Sequence, residues 1–303
     1  MTRGLLDIES LTRPEIESIL DRSKAFQPPK GEPFQRFDFL RGRTVVNLFF
    51  EASTRTRTSF EIAARRLGAE TISITSSGSS VSKGESLVDT LNTIGAMRPD
   101  AIVIRHSASG APHFIARYLP IPIVNAGDGT HEHPTQALLD ARTILDRRSS
   151  LEGLRIAIIG DIAHSRVARS NVFLLSKFGV KLVLCGPASL LPREMKDIAP
   201  GVELTTNMQD AIRNADVIMM LRVQLERQHE APYPVNEYFQ FFGLRLEHME
   251  LAKPDVIVMH PGPMNRGREI SSEVADSQRS AILNQVENGI SVRMAVLEKV
   301  LAR

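Results

Sequence analysis

Residues 44–68, TVVNLFFEASTRTRTSFEIAARRLG, set the building unit of this chain. TVVNLFF is β-branched and aromatic, as a buried strand should be. Phe60, Ala63, Ala64 and Leu67 then recur at i, i+3, i+4 and i+7, one face of a helix, until Gly68 offers a cap. Between strand and helix sit Ser53, Thr54, Arg55, Thr56 and Arg57. A helix start presents unpaired backbone N–H groups and the positive end of a dipole; hydroxyls and guanidinium forks added there suit a tetrahedral phosphate. The segment lacks the GxxxxGKS/T of a P-loop and the GxGxxG of a dinucleotide site, which favours a small phosphate compound over a nucleotide. The alternative is an N-capped helix with solvent-facing arginines, but STRTR crowds positive charge where the dipole disfavours it.

The same rhythm continues along the chain. Thr12 and Glu15 form a T-x-x-E capping box with Pro14 in the first turn, predicting a helix to about Phe26 before QPPKGEP breaks it. Strands are expected over 44–50, 70–74, 101–105 and 123–125, separated by helices over 55–67, 85–94 and 113–119. A helix over 134–147 ends at RRSSLEG. A second series of strands follows over 154–159, 181–185, 203–205, 217–220 and 256–259. The fold class is therefore α/β, two parallel-sheet domains with the active site in the cleft between them. The expected boundaries are residues 1–140 and 141–280. The final stretch carries Ile282, Leu283, Val286, Ile290, Met294, Leu297 and Leu301 in a helical pattern, so a helix over about 281–303 is expected to pack back on the first domain.

Composition narrows the function classes. A net charge of +2 from 37 basic and 35 acidic residues leaves no broad positive surface, and with 5% aromatic residues and no Trp a nucleic-acid platform is not expected. The amino end has no long apolar run, so neither a signal peptide nor a membrane span is expected and the default localisation is cytoplasmic. The single cysteine, Cys185 in KLVLCGP, reads as inert packing in a buried strand.

The polar clusters share a position. STRTR, Arg105 in DAIVIRH, HEHPTQ, Arg166 in GDIAHSR, Arg222 with Gln224, and HPGPMNR each fall just after an expected strand, where open parallel sheets place ligands. Arg105 reads either as a surface residue ending a strand or as a second guanidinium for the phosphate. His133, just before Pro134, reads either as a packing residue at a helix start or as a neutral donor to a carbonyl oxygen, its ring held at the helix N-terminus. His131 reads as a solvated loop residue, and Asp161 as a cap for the next helix. Lys83, in SSGSSVSKGES, is either a loop lysine or part of a loop that closes over a ligand. GDIAHSR has one glycine where a nicotinamide site needs several, and H-x-H is too little for zinc, so neither a cofactor nor a metal is expected.

In order, FFEASTRTRTSFE, SVSKGES, IRH, HEHPTQALLD, GDIAHSR, LRVQLER and HPGPMNRG resemble the aspartate/ornithine carbamoyltransferase superfamily across essentially the whole chain. The resemblance implies a carbamoyl phosphate site of Ser53, Thr54, Arg55, Thr56, Arg105, His133 and Gln136, closed by the backbone of Gly262 and Pro263. It implies aspartate recognition by Lys83, Arg166, Arg222 and Gln224, and it implies that Ser79 and Lys83 serve a neighbouring subunit's site, hence a homotrimer. Two arginines suit the two carboxylates of aspartate, whereas ornithine's ammonium would want an acid. The ornithine branch resembles HPCQ at the first histidine motif and carries a cysteine before the proline turn; here Thr135 stands in HPTQ and His260 in HPGP. Gly262 departs from a leucine seen in some aspartate enzymes, a change that backbone contacts tolerate.

The implied reaction is carbamoyl transfer to L-aspartate in pyrimidine biosynthesis, with Arg55, Thr56, Lys83, Arg105 and His133 carrying the chemistry. Regulatory chains or a dihydroorotase are partners such enzymes take. A carbamoyltransferase for another amine, or a non-catalytic phosphate-metabolite sensor or assembly subunit, is the alternative.

Overall fold

The computed structural model describes residues 4–29, 31–75, 86–222 and 235–301. They divide into two compact units, residues 1–139 with 287–303, and residues 140–286.

The first unit contains β1 (Gly4–Leu5), α1 (Arg13–Ala25), β2 (Thr44–Phe49), α2 (Thr54–Arg66), β3 (Glu70–Thr75), α3 (Leu87–Ala96), β4 (Ala101–His106), α4 (Ala111–Tyr118) and β5 (Ile123–Asp128). From it α5 (Pro134–Leu145) runs into the second unit. The strands pair in the order β1-β5-β4-β2-β3, every pair parallel. The expected capping box opens α1: the Thr12 hydroxyl accepts from the Glu15 N–H, and the Glu15 carboxylate accepts from the Thr12 N–H at 2.8 Å. Phe60, Ala63, Ala64 and Leu67 are wholly buried, as their spacing predicts. Gly68 follows at φ +86°, and a Cβ there would lie 3.1 Å from the Phe37 carbonyl, so this cap accommodates glycine alone without strain.

The second unit contains β6 (Arg155–Ile159), α6 (Arg166–Ser176), β7 (Lys181–Cys185), β8 (Val202–Thr205), α7 (Met208–Ile212), β9 (Val217–Met220), α8 (Val235–Phe242), β10 (Ile257–Met259), α9 (Ser272–Ala275) and the start of α10 (Ile282–Leu301). Its sheet, again wholly parallel, has the order β10-β9-β6-β7-β8. Central strands β6 and β9 are buried on both faces and read as continuous apolar runs, IAII and VIMM. Cys185 is fully buried on β7, where burial, with the Asp210 charge adding, pushes its thiol up to about 12; it packs as an apolar residue. The later part of α10 belongs to the first unit, where Arg22 grips Glu298 through two bonds of 2.5 and 2.6 Å and Arg293 donates to Ser59 at 2.7 Å.

The observed strands extend the expected ones by a residue or more at β3, β4 and β5. The two-residue β1 carries too little sequence to announce itself; only its register against Ile123 and Val124 makes it a strand. Replacing the wholly buried Ile158 of β6 by Ala should cost about 2–5 kcal/mol, read as a lowered urea midpoint; an unchanged midpoint would show that β6 is not in the core.

Candidate active site

In the first sheet the chain leaves β2 toward β3 and returns on the other side of β2 as β4. The crossovers diverge between β2 and β4, and a crevice at such a switch point is where open α/β sheets bind ligands. The STRTR turn follows β2 and Arg105 lies near the end of β4, with the Phe50 N–H donating to the Arg105 carbonyl at 2.9 Å. Ser53 is the N-cap of α2, but its hydroxyl makes no capping bond; its carbonyl accepts from Arg57 N–H at 3.1 Å as the helix begins. Thr54 and Arg55 are exposed, and Ser53, Thr56 and Arg57 are half-buried. No carboxylate occurs in residues 54–57, which keeps the helix dipole available to an outside anion. The Arg105 guanidinium is not a surface group: it donates to Glu51 at 2.8 Å and to the Ala126 carbonyl at 3.3 Å.

His133 is carried to the same edge by β5, the neighbour of β4, and stands at the start of α5, where its carbonyl accepts the Gln136 N–H at 2.9 Å. Its side chain, Thr135 and Gln136 are buried. The loop before it is pinned by two carboxylates. Asp128, wholly buried, accepts from Gly110 N–H at 2.7 Å, Asn125 Nδ2 at 2.8 Å, Glu132 N–H at 3.1 Å and His131 Nδ1 at 3.0 Å. Glu132, also wholly buried, accepts from the N–H groups of Ile8 and Glu9 at 3.0 and 3.2 Å and so ties in the chain after β1. His131 is accordingly not the solvated residue expected; it is half-buried on Asp128, with the His113 ring edge-on at 5.6 Å.

These bonds shift the titrations in opposite directions. The hydrogen bond to Asp128 raises the His131 pKa despite burial, with the charges of Asp128, Glu132 and Asp7 adding. For Asp128, burial opposes ionisation, but the bonds from His131, Asn125 and Gly110 outweigh it and lower the carboxyl. His106, next to Arg105, is lowered by burial, only partly offset by Asp128 and Glu51.

In the second sheet the crossovers diverge between β6 and β9. Gly160 ends β6 at φ +141°, and a Cβ there would stand 2.9 Å from the Leu221 side chain, so glycine lets the two strand ends approach. Asp161 does not cap the next helix: its carboxylate accepts from the His164 N–H at 3.1 Å, while Ser165 caps α6 by accepting Ala168 N–H at 3.1 Å. A serine one residue from the first helical turn reaches N3, whereas Asp161 lies too far upstream. Arg166 is then the first residue of α6 and is buried; Arg222 lies just after β9 and is half-buried. Gly262 and Pro263 follow β10 through a cis peptide, with Gly262 at φ +64°, a conformation that suits glycine. Burial, then the charges of Glu269 and Asp161, raise the Tyr238 phenol, which stays a neutral hydroxyl.

The first unit thus gathers Ser53, Thr54, Arg55, Thr56, Arg105, His133 and Gln136 on one sheet edge, and the second gathers Arg166, Arg222, Gly262 and Pro263 on its own. Ser79, Lys83 and Gln224 lie outside the described residues. Sequence reasoning does not single out Glu51, Asp128, Glu132 or Glu269; for Asp128, the last residue of β5, and Glu51, just after β2, a carboxylate at the end of an otherwise apolar strand is the available signal. Among the described residues no three His, Cys, Asp or Glu side chains form a metal cluster, and no helix is long and apolar enough to cross a membrane.

NMR titration of His131 should give a pKa above the ordinary 6.5, with Asp128→Asn abolishing the rise; an unshifted wild-type ring would show that the pair does not form. Because the folded value is raised, the stabilisation from His131 is whole below pH 6.5 and fades as pH climbs through the folded value.

Two family descriptions match consecutive parts of the chain: aspartate/ornithine carbamoyltransferase, carbamoyl-P binding domain, over residues 3–146, and the Asp/Orn binding domain over 152–300. The aspartate carbamoyltransferase catalytic subunit of Solibacter usitatus is 77% identical over 99% of this chain and 100% of its own length. That of Syntrophotalea carbinolica is 53% identical over 97% and 94%. Among solved structures, aspartate transcarbamoylase of Trypanosoma cruzi in complex with N-(phosphonacetyl)-L-aspartic acid matches with TM-score 0.90 and 33% identity over 99% of this chain and 96% of its own. Ornithine carbamoyltransferase of Pyrococcus furiosus matches with TM-score 0.85 and 29% identity over 98% and 96%. With both domain descriptions matched in sequence and relatives aligned end to end, the chain belongs to the aspartate/ornithine carbamoyltransferase family.

Proposed function

We infer that this chain transfers the carbamoyl group of carbamoyl phosphate to the α-amine of L-aspartate, giving N-carbamoyl-L-aspartate and phosphate in pyrimidine biosynthesis. The observation that carries the reading is the pairing of the STRTR helix start with Arg105 at the β2/β4 switch point. The 77% identity to an aspartate carbamoyltransferase catalytic subunit supports the acceptor. Likeness of fold does not select it, since aspartate and ornithine enzymes match almost equally well. Arg166 and Arg222 do, because two guanidinium forks complement two carboxylates.

In the reaction the free amine attacks the carbamoyl carbon, a C–N bond forms, and negative charge collects on the former carbonyl oxygen. Arg105, His133 and Thr56 stabilise that charge. As the intermediate collapses, the bond from carbon to phosphate oxygen breaks and the phosphate takes the amine proton. Ser53, Thr54, Arg55 and Lys83 hold the departing phosphate, Gln136 and the backbone of Gly262 and Pro263 orient the carbamoyl group, and Gln224 joins the arginines on aspartate. Glu51, bonded to Arg105 at 2.8 Å, keeps that guanidinium aimed before substrate arrives. In this reading residues 1–140 bind carbamoyl phosphate and 141–280 bind aspartate. No metal or cofactor takes part.

Ser79 and Lys83 reach the site of a neighbouring subunit, so the active form is a cytoplasmic homotrimer, which regulatory chains or a dihydroorotase can join.

Incubation of the protein with carbamoyl phosphate and either L-aspartate or L-ornithine, without added metal or nucleotide, should give carbamoyl-aspartate alone; citrulline would reassign the acceptor. Arg105→Ala and His133→Ala should each lower turnover on the order of 100- to 1000-fold, and full turnover in His133→Ala would remove it as electrophile. Sedimentation with an activity assay should place activity in the trimer; a fully active monomer would exclude shared sites.

A further inference from the structure

The turn that follows β10 is shaped by side chains that neither the reaction nor the comparisons assign. His260 and Glu269 are both buried, at 1% and 0% exposure. His260 Nδ1 accepts the Gly262 N–H at 2.8 Å. A ring nitrogen that accepts carries no proton, so in the neutral ring the proton sits on Nε2 and is donated to Glu269 Oε1 at 3.2 Å. The same carboxylate oxygen accepts the Asn265 N–H at 2.8 Å, on the far side of the turn. The His260 N–H itself donates to Gln285 Oε1 at 2.9 Å; Gln285 Nε2 donates to Asp140 Oδ1 at 2.8 Å, and Asn171 Nδ2 to Asp140 Oδ2 at 2.9 Å. The start of the turn is therefore anchored to α10 and through it to α5 and α6, and its far side to Glu269.

Gly262 is the weak point of this loop. It sits at φ +64°, and glycine passes between backbone conformations more freely than any other residue, so its own preference does not hold the flanking peptides in place. An external bond must do so. Burying a carboxylate beside an imidazole is costly unless each polar group is matched. Here Glu269 is matched through Oε1 alone, which takes the His260 and Asn265 N–H groups while Oε2 is buried without a hydrogen-bond partner, and from Oε1 the bonds run through the imidazole to the peptide N–H of Gly262.

We propose that His260 and Glu269 are positioning residues, a carboxylate–imidazole–peptide relay that fixes the orientation of Gly262 in the turn. This rests on the reading that Gly262 and Pro263 orient the carbamoyl group; neither relay residue touches substrate. A turn displaced by about 1 Å is enough to cost on the order of 100-fold in rate without loss of substrate binding.

Two substitutions separate the relay from simple core filling. In His260→Asn the side-chain oxygen reaches the place of Nδ1 and accepts the Gly262 N–H. In His260→Gln the amide reaches Glu269 but leaves that N–H without its acceptor. The measurements are kcat for carbamoyl-aspartate, equilibrium binding of inorganic phosphate, and hydrogen exchange of the Gly262 amide by NMR. His260→Gln should lower kcat on the order of 100-fold and speed Gly262 exchange, His260→Asn should recover most of both, and phosphate binding should be unchanged in each. Equal impairment of the two variants, or wild-type rate and exchange in His260→Gln, would overturn the relay. If the wild-type protein forms no carbamoyl-aspartate, the proposed reaction fails while the exchange contrast still decides the relay. Should the His260 variants not fold, Glu269→Met gives the same test: faster Gly262 exchange and lower kcat are expected, and wild-type values for both would overturn the proposal.

Discussion

Parallel pairing of every strand is the constraint on which the rest depends. Strands that all run one way need a crossover between each pair, so helices cover the faces and the sheets become apolar on both sides. The same geometry sends every strand's C-terminal end to one edge. Polar groups excluded from the strands collect there, and where the crossovers diverge, between β2 and β4 and between β6 and β9, the edge opens. The candidate site is thus a consequence of topology before it is a matter of particular residues.

Loops at such an edge are short of backbone partners, and this chain supplies them from buried side chains. Asp128 and Glu132 organise the approach to His133, Asp140 joins Gln285 to Asn171, and Glu269 joins His260 to Asn265. A buried carboxylate left alone would be strongly destabilising, whereas one that accepts several N–H bonds converts its burial into a fixed loop shape. In the proposed reaction rigidity at the edge matters more than raw stability, because electrostatic stabilisation of a transient charge works only if the donors are already in place. The exposed members, Thr54 and Arg55, stand on a helix start whose dipole and N–H groups are themselves rigid.

In the proposed reaction, choice between related acceptors is left to a handful of side chains on this common frame. The structural likeness to an ornithine enzyme is nearly as close as that to aspartate enzymes, so the sheets do not encode the acceptor. In the proposed reaction that choice falls to Arg166, in the first turn of α6, and Arg222, just beyond β9.

Much of this was legible in the sequence because it depends on local rules. Helical spacing placed Phe60, Ala63 and Ala64 inside, T-x-x-E opened α1, β-branched runs marked β2, β6 and β9, and the residues following them were the polar clusters. Two local choices went against the sequence reading: His131 lies against Asp128, three positions away, and not in solvent, and Ser165, not Asp161, caps α6. What sequence could not supply were partners distant along the chain: Arg105 meets Glu51, and Glu132 holds Ile8 from 124 positions away. By itself the sequence determined the class of fold, the edge of the sheets where the polar clusters lie and the residue types on it, since periodicity and turn chemistry act within a few residues. Tertiary structure alone decided which buried charges meet and what each loop is anchored to. Those bonds form only after the parallel sheets have brought distant segments within hydrogen-bonding distance.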